Sequence, residues 1–401
     1  MSRFLTSFCL LVLCAVIALM LVISPTSALA QVMGMTTVET QPPVQMESQP
    51  ESTAPETTEV TEVTETTIPE TTEATEPETT VPETTEAPTE PAGPESFTLT
   101  FVGDCTLGTQ PKNFNYGLAF IKTVGDDYKY NFANVIDYFE NDDFTMLNLE
   151  GVLVNEGTAA NKQYTFRGPT DYVNILTQNS VEAVTLANNH THDFLEAGYL
   201  STTGTLTDAG MPYVEHDNTL ILTTGRGLTI GIYAVSLLEG VKQDHILEAI
   251  AALDANEEID LVVLSIHWGV ENTFKPNGTQ KDLGHAAIDA GADIVYGTHP
   301  HTLQPIEEYN GGIIYYSLGN FAFGGNNSPK DYNTALVQQE VIRDLDGTIR
   351  LGSLTIVPCS ISSVASPNNF QPTPYEEGSQ DYEKTMSKLN GTYGGGSLPI
   401  G

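Results

Sequence analysis

Between residues 95 and 358, short runs of β-branched and apolar residues alternate with longer segments that mix polar and apolar positions. This alternation is typical of a layered α/β domain, in which strands and helices follow one another along the chain. The apolar runs predict strands at residues 97–103, 145–149, 183–186, 229–234, 261–266, 294–296 and 312–317. A turn signal at residues 344–347 predicts a closing hairpin over residues 334–357. The mixed segments, several of which end at Gly or Asn, predict helices at residues 131–141, 170–178, 195–209, 243–255 and 280–290.

The first 30 residues have the pattern of an export signal. Arg3 precedes an apolar run from Phe4 to Ile23, and small residues then lead to Ala30. The pattern predicts a secretory signal peptide that is cleaved after Ala30. The apolar run exceeds the roughly 7–15 residues usual in such signals, so an uncleaved N-terminal anchor is the alternative. We therefore expect a protein that is secreted or held at the extracellular face of the cell envelope, with membrane contact only through an uncleaved segment.

Residues 31–95 form a tract rich in Thr, Glu and Pro that contains no Lys or Arg. Such a composition cannot bury a core, and it predicts a disordered, extended linker. Even without the 15 glutamates of this tract and without Arg3, the chain keeps 37 acidic and 14 basic residues, a net charge of about −23. This charge argues against nucleic acid as a partner because phosphate backbones are bound by clustered Lys and Arg. An anionic substrate would need bound cations that reverse the local field.

The rest of the chain is predicted to form one domain at residues 96–360, followed by a flexible, Gly- and Ser-rich tail at residues 361–401. Only Cys105 and Cys359 lie outside the signal segment, so the chain has no disulfide framework. Export would permit one bridge between these two cysteines. Their separation in sequence says nothing about geometry, and a free and a paired state both stay open.

Polar clusters follow the predicted strands at their carboxyl ends. Ligands collect at this position in sheets with α/β connections, so the clusters are expected to converge on one pocket. The clusters contain Asp104; Asn148 and Glu150; Asn188, Asn189, His190, His192 and Asp193; His267; His299 and His301; and Asn320.

The residue types in these clusters indicate a metal site. Carboxylates, an amide oxygen and imidazoles without a thiolate suit divalent Mn, Fe or Zn better than they suit a structural zinc site. His299 and His301 are two residues apart, so on an extended backbone both side chains would point to the same side and could serve adjacent metals. Glu150 could bridge two ions with its two oxygens. Two cations about 3.5–4 Å apart can hold the attacking and leaving oxygens of a phosphoryl centre.

Each residue also has an ordinary structural interpretation. Asp104 by itself fits a helix cap or a turn, and residues 188–190 by themselves fit a turn. His267 by itself fits a half-buried histidine. Cys105 is interpreted as a buried apolar residue because no base is placed to activate it. The two histidines that flank a proline at residues 299–301 have little use in packing, and the combination of clusters therefore favours the metal site.

Six short motifs occur in order along the chain. They are GD at residues 103–104, NLEG at 148–151, ANNH at 187–190, HWG at 267–269, G-x-HPH at 297–301 and SLGNF at 317–321. In identity and order they resemble the CapA family of poly-γ-glutamate capsule synthesis, which is related to calcineurin-like metallophosphoesterases. The resemblance extends over residues 97–320, more than half of the chain.

The resemblance implies a four-layer αββα sandwich of the metallo-dependent phosphatase type, with a site for two divalent metal ions at one end of the strands. The implied metal ligands are Asp104 and His301 for one ion, Asn189, His267 and His299 for the other, and Glu150 between them.

The same resemblance implies that His190 protonates the leaving oxygen or stabilises the phosphoryl group. We further predict that Asn188, Asn320 and Arg167 contact the substrate.

The chain departs from the wider phosphoesterase pattern at two positions. Those enzymes commonly place a His two residues after the first Asp, where this chain has Thr106. The first metal would therefore lose a nitrogen ligand and bind more weakly. The bridging position is Glu150, where Asp is commoner.

Three functions remain open from the sequence. One is a metal-dependent phosphoesterase that acts on a phosphate ester or an anionic cell-envelope polymer during capsule synthesis. The second is a polymer-binding assembly or retention factor that works with other capsule synthesis subunits and hydrolyses nothing. The third is a metal-dependent ligand-binding module, which needs only the pocket.

Overall fold

The computed structural model describes residues 93–398, so the predicted signal segment and nearly all of the predicted linker lie outside the described residues. The strands are β1 (Glu95–Thr106), β2 (Phe144–Leu149), β3 (Val152–Leu153), β4 (Arg167–Gly168), β5 (Ala183–Thr185), β6 (Tyr213–Val214), β7 (Asn218–Thr223), β8 (Thr229–Ser236), β9 (Leu261–His267), β10 (Ile294–Thr298), β11 (Ile306–Tyr309), β12 (Gly312–Tyr315), β13 (Asn320–Phe323), β14 (Asn333–Arg343), β15 (Ile349–Ser360) and β16 (Thr373–Pro374). The helices are α1 (Phe120–Val124), α2 (Ile136–Glu140), α3 (Val173–Thr177), α4 (Leu195–Asp208), α5 (Gln243–Asp254), α6 (Gly278–Asp289) and α7 (Gln380–Leu389).

These strands form two mixed sheets and a separate pair of β3 and β4. The first sheet has the order β16-β15-β14-β1-β2-β5-β6, and β13 pairs with the end of β1. The second sheet has the order β11-β12-β10-β9-β8-β7. In the first sheet β1, β2 and β5 are parallel, and in the second β8, β9, β10 and β12 are parallel. The carboxyl ends of neighbouring strands therefore lie together at one edge of each sheet, and the polar clusters follow those ends.

An apolar layer lies between the two sheets. Phe101 and Met146 of the first sheet belong to the same buried cluster as Val263 and Tyr296 of the second. The ring centroids of Phe101 and Tyr296 are 5.2 Å apart. Successive side chains on a strand point to opposite faces, so Leu147, next to Met146, packs in a different cluster on the outer face. Both faces of the central strands are buried, which explains why their sequences are almost continuously apolar.

Helices cover the outer faces of both sheets. Residues of α1 to α4 pack in the outer cluster of the first sheet, among them Phe120, Phe139 and Leu206. Residues of α5 and α6, such as Ile250 and Leu283, pack in the outer cluster of the second sheet. The predicted four-layer αββα arrangement is therefore confirmed.

Two predicted helices are shorter than the sequence pattern indicates. The helix predicted at residues 131–141 is confined to α2, because Asn131 and Phe132 are fully buried and the Asn131 amide donates a 2.7 Å hydrogen bond to the Phe370 carbonyl. The helix predicted at residues 170–178 begins with a 3-10 turn, Thr170–Tyr172, and continues as α3. Contacts with distant parts of the chain determine these segments, and periodicity does not report such contacts.

The segment after residue 361 differs from the predicted flexible tail. Helix α7 begins after Ser379, whose side chain accepts a hydrogen bond from the Tyr382 amide, and its last residue, Leu389, is buried in the core between the sheets. The Lys388 ammonium is fully buried and lies 2.6 Å from the Asp331 carboxylate. The described part of the segment is therefore packed against the domain.

Cys105 and Cys359 are both buried and free, so the bridge that the sequence left open is absent. Both pack in the outer cluster of the first sheet, and burial raises the pKa of each thiol above its ordinary range. This environment agrees with the interpretation of Cys105 as an apolar core residue. Within residues 93–398, no helix has the length and apolar character needed to cross a bilayer.

Candidate metal centre

Asp104 is brought to the centre of the site by strand pairing. It lies opposite Asn148 of β2 and Asn320 of β13, both in parallel register. The Asp104 amide donates a 2.8 Å hydrogen bond to the Gly319 carbonyl. A Cβ on Gly103 would lie 2.1 Å from the same oxygen, so glycine is required for the two segments to approach this closely.

The Asp104 carboxylate is fully buried and is held from both sides. Its Oδ1 accepts a 2.9 Å hydrogen bond from the Asn148 amide. Its Oδ2 lies 3.1 Å from His301 Nδ1 and 3.4 Å from the His299 backbone amide. The two motifs, almost two hundred residues apart in sequence, thus meet at this carboxylate.

Glu150 follows β2 and points into the middle of the histidine cluster. Its Oε1 lies 3.6 Å from His301 Nε2, 3.8 Å from His190 Nε2 and 4.0 Å from His267 Nε2. Both carboxylate oxygens are buried and neither has a hydrogen-bond partner. Burial raises the pKa of Glu150 well above its ordinary value; His301 opposes this shift, and the nearby Asp104 carboxylate adds to it. A buried carboxylate without donors, surrounded by imidazole nitrogens, is an environment that a cation would satisfy.

His299 and His301 lie in a tight turn after β10. Their backbone φ angles are +96° and +55°, so neither is on extended backbone, and the predicted reason for their convergence is wrong. The two rings nevertheless lie close, with centroids 5.7 Å apart. Non-glycine residues in such conformations cost about 1–3 kcal/mol each, and they cluster at ligand sites where the surrounding structure enforces them. His299 Nδ1 is buried without a partner, and burial, mainly, lowers the pKa of this ring to about 3.

His267 ends β9 and contacts Asn189 directly. Its Nε2 lies 2.9 Å from Asn189 Oδ1, and its Nδ1 lies 2.9 Å from Thr298 Oγ1. The ring centroid is 4.7 Å from that of His299. Burial, aided by repulsion from the neighbouring imidazoles, lowers the pKa of His267 well below its ordinary value, so the ring is neutral as a metal ligand must be. The Thr298 hydroxyl can accept from Nδ1–H when Nε2 binds a metal.

His190 is oriented by Asp193, which lies three residues later. The distance from His190 Nδ1 to Asp193 Oδ2 is 2.8 Å, which leaves Nε2 on the side of Glu150. Asp193 Oδ2 also accepts a 2.5 Å hydrogen bond from the Phe166 amide, and Asp193 Oδ1 forms a 2.6 Å ion pair with the Lys162 ammonium. Burial lowers the pKa of His190, although its hydrogen bond to Asp193 acts in the opposite direction.

The three residues predicted to contact substrate have different environments. Asn320 lines the cavity beside the site, and its Oδ1 lies 3.0 Å from His301 Nδ1. Asn188 is buried, and its amide donates to Asn148 Oδ1 and to the Leu149 carbonyl, each at 2.9 Å. Its hydrogen bonds therefore hold neighbouring strand ends together.

Arg167 lies away from this cavity. Its guanidinium donates to the carbonyls of Val154 and Asn155, lies over the Phe114 ring at 4.4 Å, and lines a different cavity. The prediction that Arg167 contacts a substrate at the metal centre therefore finds no support in its position. Arg167 lies in the short strand pair of β3 and β4, outside both large sheets, and the sequence does not reveal which cavity its side chain faces.

Glu271 was missed by the sequence analysis. One ligand atom each from Glu271, His299 and His301 lie within 4.8 Å of one another, as do ligand atoms of Asp104, Glu150 and His301. Glu271 comes two residues after the HWG motif, and this closeness in sequence to a predicted ligand was the only available signal. It was not sufficient, because loop residues follow no periodic pattern that would show which side chains face the site.

A cavity of 510 Å³ opens beside these residues. His190, Glu271, His301 and Asn320 lie in its wall, together with the aromatic ring of Phe166. Carboxylates, an amide oxygen and neutral imidazoles form a donor set for divalent cations of the first transition row. The buried unpartnered atoms of Glu150 and His299 fit the same conclusion.

The chain is similar to proteins of known families. The family model described as "Bacterial capsule synthesis protein PGA_cap" matches residues 98–325. The capsule biosynthesis protein CapA of Bacillus anthracis is 32% identical over 302 residues, which cover 69% of this chain and 70% of the relative. The PGA biosynthesis protein CapA of Bacillus subtilis (strain 168) is 27% identical over 305 residues, which cover 71% of this chain and 78% of the relative. The solved structure of the Haemophilus influenzae NAD nucleotidase NadN matches with a TM-score of 0.38 and 12% identity, over 74% of this chain and 63% of that chain.

The predicted metal ligands meet in one site, and the six sequence motifs that form it lie within the region matched by the family model. This match spans more than half of the chain, and the Bacillus anthracis relative supports it over more than two thirds of both proteins. The chain therefore belongs to the bacterial capsule synthesis protein PGA_cap family.

Proposed function

We propose that this protein binds two divalent cations at the site around Glu150 and hydrolyses a phosphate ester or diester of an anionic envelope polymer during capsule synthesis. The observation that carries the proposal is the Glu150 carboxylate, buried without any hydrogen bond and within 4.0 Å of three imidazole nitrogens. The printed names of the relatives, which refer to capsule and PGA biosynthesis, favour a poly-γ-glutamate-like polymer.

The ligands would divide into two sets that share Glu150. Asp104 and His301 would hold one cation, and Asn189, His267 and His299 the other. The cations, when bound, supply positive charge for the phosphoryl oxygens and acidify a water molecule. Mn, Fe and Zn all accept this mixture of oxygen and nitrogen donors.

His190 would donate a proton to the leaving oxygen. Asp193 accepts Nδ1–H and so keeps Nε2 available on the side of Glu150. In the cation-free protein burial keeps the ring neutral, but an anionic substrate in the adjacent cavity would favour the imidazolium form. The charged ring could then donate Nε2–H to the substrate.

The surroundings of the site suit an anionic ligand only when cations are present. The carboxylates of Asp104, Glu150 and Glu271 would repel a phosphate, and bound cations would reverse this field. Asn320 would contact the ligand from the cavity wall, and the Phe166 ring, 4.7 Å from the His190 ring, would limit water around it.

We also propose that the protein acts outside the cell, either secreted or held at the cell envelope by an uncleaved N-terminal segment. The pattern of residues 1–30 supports this location, and the acidic linker would extend the domain away from the membrane. There the domain could meet a nascent polymer or other capsule synthesis subunits.

A second function, polymer binding or assembly without hydrolysis, is favoured by one observation. Thr106 takes the position where the wider phosphoesterases commonly place a metal-binding His, and its buried hydroxyl has no hydrogen-bond partner. A cation bound by fewer donors would be held more weakly, and a weakly loaded site could bind a polymer without cleaving it.

One experiment separates these functions. Metal content and hydrolysis of a chromogenic phosphodiester are measured with added Mn²⁺, Fe²⁺ or Zn²⁺ for the wild type and for Asp104→Ala, His299→Ala and the exposed control His245→Ala. The phosphoesterase proposal predicts turnover that is lost in the first two variants, with folding retained, and kept in the control. Cation binding without turnover under any of the three metals would reject hydrolysis and favour the second function.

A further inference from the structure

Glu271 occupies the open side of the histidine cluster. It lies in the loop after β9, is exposed, and lines the cavity beside the site. Its carboxylate and one ring nitrogen each of His299 and His301 lie within 4.8 Å of one another. Within residues 93–398, no hydrogen bond or ion pair engages the Glu271 side chain. An exposed acid near a histidine is common, so this position alone decides nothing.

A second observation points to a ligand at the same place. His299 is only 5% exposed, and its Nδ1 has no partner. A buried ring nitrogen without a partner is costly unless a ligand satisfies it. His299, which carries this unpartnered nitrogen, belongs with Glu271 and His301 to the same group of three residues.

The backbone that carries Glu271 is fixed relative to the turn that carries the histidines. The Asn272 amide donates a 2.8 Å hydrogen bond to the Pro300 carbonyl, and Thr302 Oγ1 donates a 2.8 Å bond to the Thr273 carbonyl. The Leu398 amide donates a 2.8 Å hydrogen bond to the Asn272 carbonyl. Three hydrogen bonds made by the neighbours of Glu271 thus hold its backbone beside the histidines. Metal ligands are commonly held in place by hydrogen bonds of surrounding groups in this way.

We propose that Glu271 is a further protein ligand, which supplies a carboxylate oxygen from the cavity side to the divalent cation that Asp104 and His301 would hold, beside His299. The inference rests on the proposed cation site and adds a donor to it. A carboxylate at this position would offset part of the donor loss at Thr106. It would also place a negative group at the cavity mouth, where an incoming anionic substrate would have to displace it or bind beside it.

The test is cation affinity, measured by calorimetric titration of the metal-free protein with Mn²⁺. We compare the wild type with Glu271→Gln and with Glu308→Gln, which removes a similarly exposed carboxylate on β11. Glu271→Gln is expected to weaken Mn²⁺ binding by about ten- to hundredfold or more. That range is seen when groups that only orient a metal ligand are removed. Glu308→Gln is expected to bind like the wild type.

A second readout checks that the change is one of coordination. The absorption spectrum of the Co²⁺-loaded protein depends on the number and type of donors, so it should change in Glu271→Gln and recover at least partly in Glu271→Asp. Equal Mn²⁺ affinity and an unchanged Co²⁺ spectrum in Glu271→Gln would overturn the inference alone. A wild type that binds no cation would overturn the inference and the proposed function together, whereas a wild type that binds cations without hydrolysis would reject only the phosphoesterase.

Discussion

Three histidine Nε2 atoms lie within 4.0 Å of Glu150 Oε1, and that of His301 is the nearest of the three, at 3.6 Å. Neither Glu150 oxygen receives a hydrogen bond. Burying a carboxylate without hydrogen-bond donors costs free energy in the cation-free fold, and a cation that bound the folded state would offset that cost. The relationship leads directly to a stability experiment.

Removal of the Glu150 charge should abolish stabilisation by cations. A cation that binds only the folded state raises the free energy of unfolding by about 2.7 kcal/mol at a hundredfold excess over its dissociation constant. Glu150→Gln should lose most of this increase, while the exposed control Glu257→Gln keeps it. Urea denaturation with Mn²⁺ and with EDTA measures the difference, and equal stabilisation of the wild type and Glu150→Gln would contradict the role of Glu150.

Cation binding should release protons at neutral pH. Burial favours the neutral ring of His301, but the Glu150 and Asp104 carboxylates outweigh it and raise its pKa to about 10. The pKa of Glu150 is raised as well, chiefly by burial. The cation-free cluster therefore holds at least one proton at pH 7, which a cation must displace.

The sign of the pH dependence follows. Because protons compete with the cation below the raised pKa, affinity should fall by up to about tenfold per pH unit and per proton between about pH 8 and pH 6. Calorimetry in buffers of different ionisation enthalpy counts the protons released. Binding that releases none, with an affinity independent of pH, would show that the cation does not bind at this cluster.

Asp193→Asn should impair the chemistry of His190 more than it impairs binding. The Asn amide can donate to His190 Nδ1, which would force the proton onto Nε2 in the neutral ring, and it leaves the Lys162 ammonium without its carboxylate. We expect kcat to fall by about 10²–10⁴-fold with a much smaller change in KM. The pH profile of phosphodiester hydrolysis should also shift, which a purely structural role of Asp193 would not produce. The control is Asp208→Asn, an exposed acid at the end of α4.

Lys388→Met should destabilise the domain. The Lys388 ammonium is within 2.8 Å of both Asp331 carboxylate oxygens and of Asn333 Oδ1, and the substitution leaves the largely buried Asp331 charge unpaired. Breaking such a pair costs about 3–5 kcal/mol. Urea denaturation should show the loss, and Lys384→Met, on the exposed face of the same helix, should show almost none. If Lys388→Met/Asp331→Asn were no more stable than Lys388→Met alone, the unpaired charge would not be the cause.

Local patterns predicted a layered α/β domain and the convergence of the polar clusters, whereas the four-layer arrangement was implied by the resemblance to the CapA family. Asp104 and His267 follow or end apolar runs, and parallel strand ends share one edge of a sheet, so their proximity could be inferred without coordinates. The positions of Arg167 and Glu271 could not be inferred, because Arg167 lies in the separate strand pair of β3 and β4, Glu271 lies in the loop after β9, and no local pattern fixes either segment. The convergence of His299 and His301 was predicted, but it arises from a turn with positive φ.

Helix α7 was missed although its signals were present. Ser379 is an N-cap type followed by Asp381 and Glu383 in the first turn, and Lys388 lies in the last turn. The surrounding Gly- and Ser-rich composition outweighed these signals in the sequence analysis. Tertiary contacts of Lys388 and Leu389, which no local pattern contains, are what secure the helix to the domain.

The course of the C-terminal segment has a practical consequence. The Lys388 ammonium lies 4.8 Å from the Phe274 ring centroid, and the Leu398 amide donates a hydrogen bond to the Asn272 carbonyl. The C-terminal segment therefore contacts the loop that carries Glu271. A proteolytic cut near residue 360 would leave all six motifs intact in sequence while removing these contacts with the loop at the cavity mouth. Measurements on protein truncated at that point would therefore not represent the binding or activity of the intact molecule.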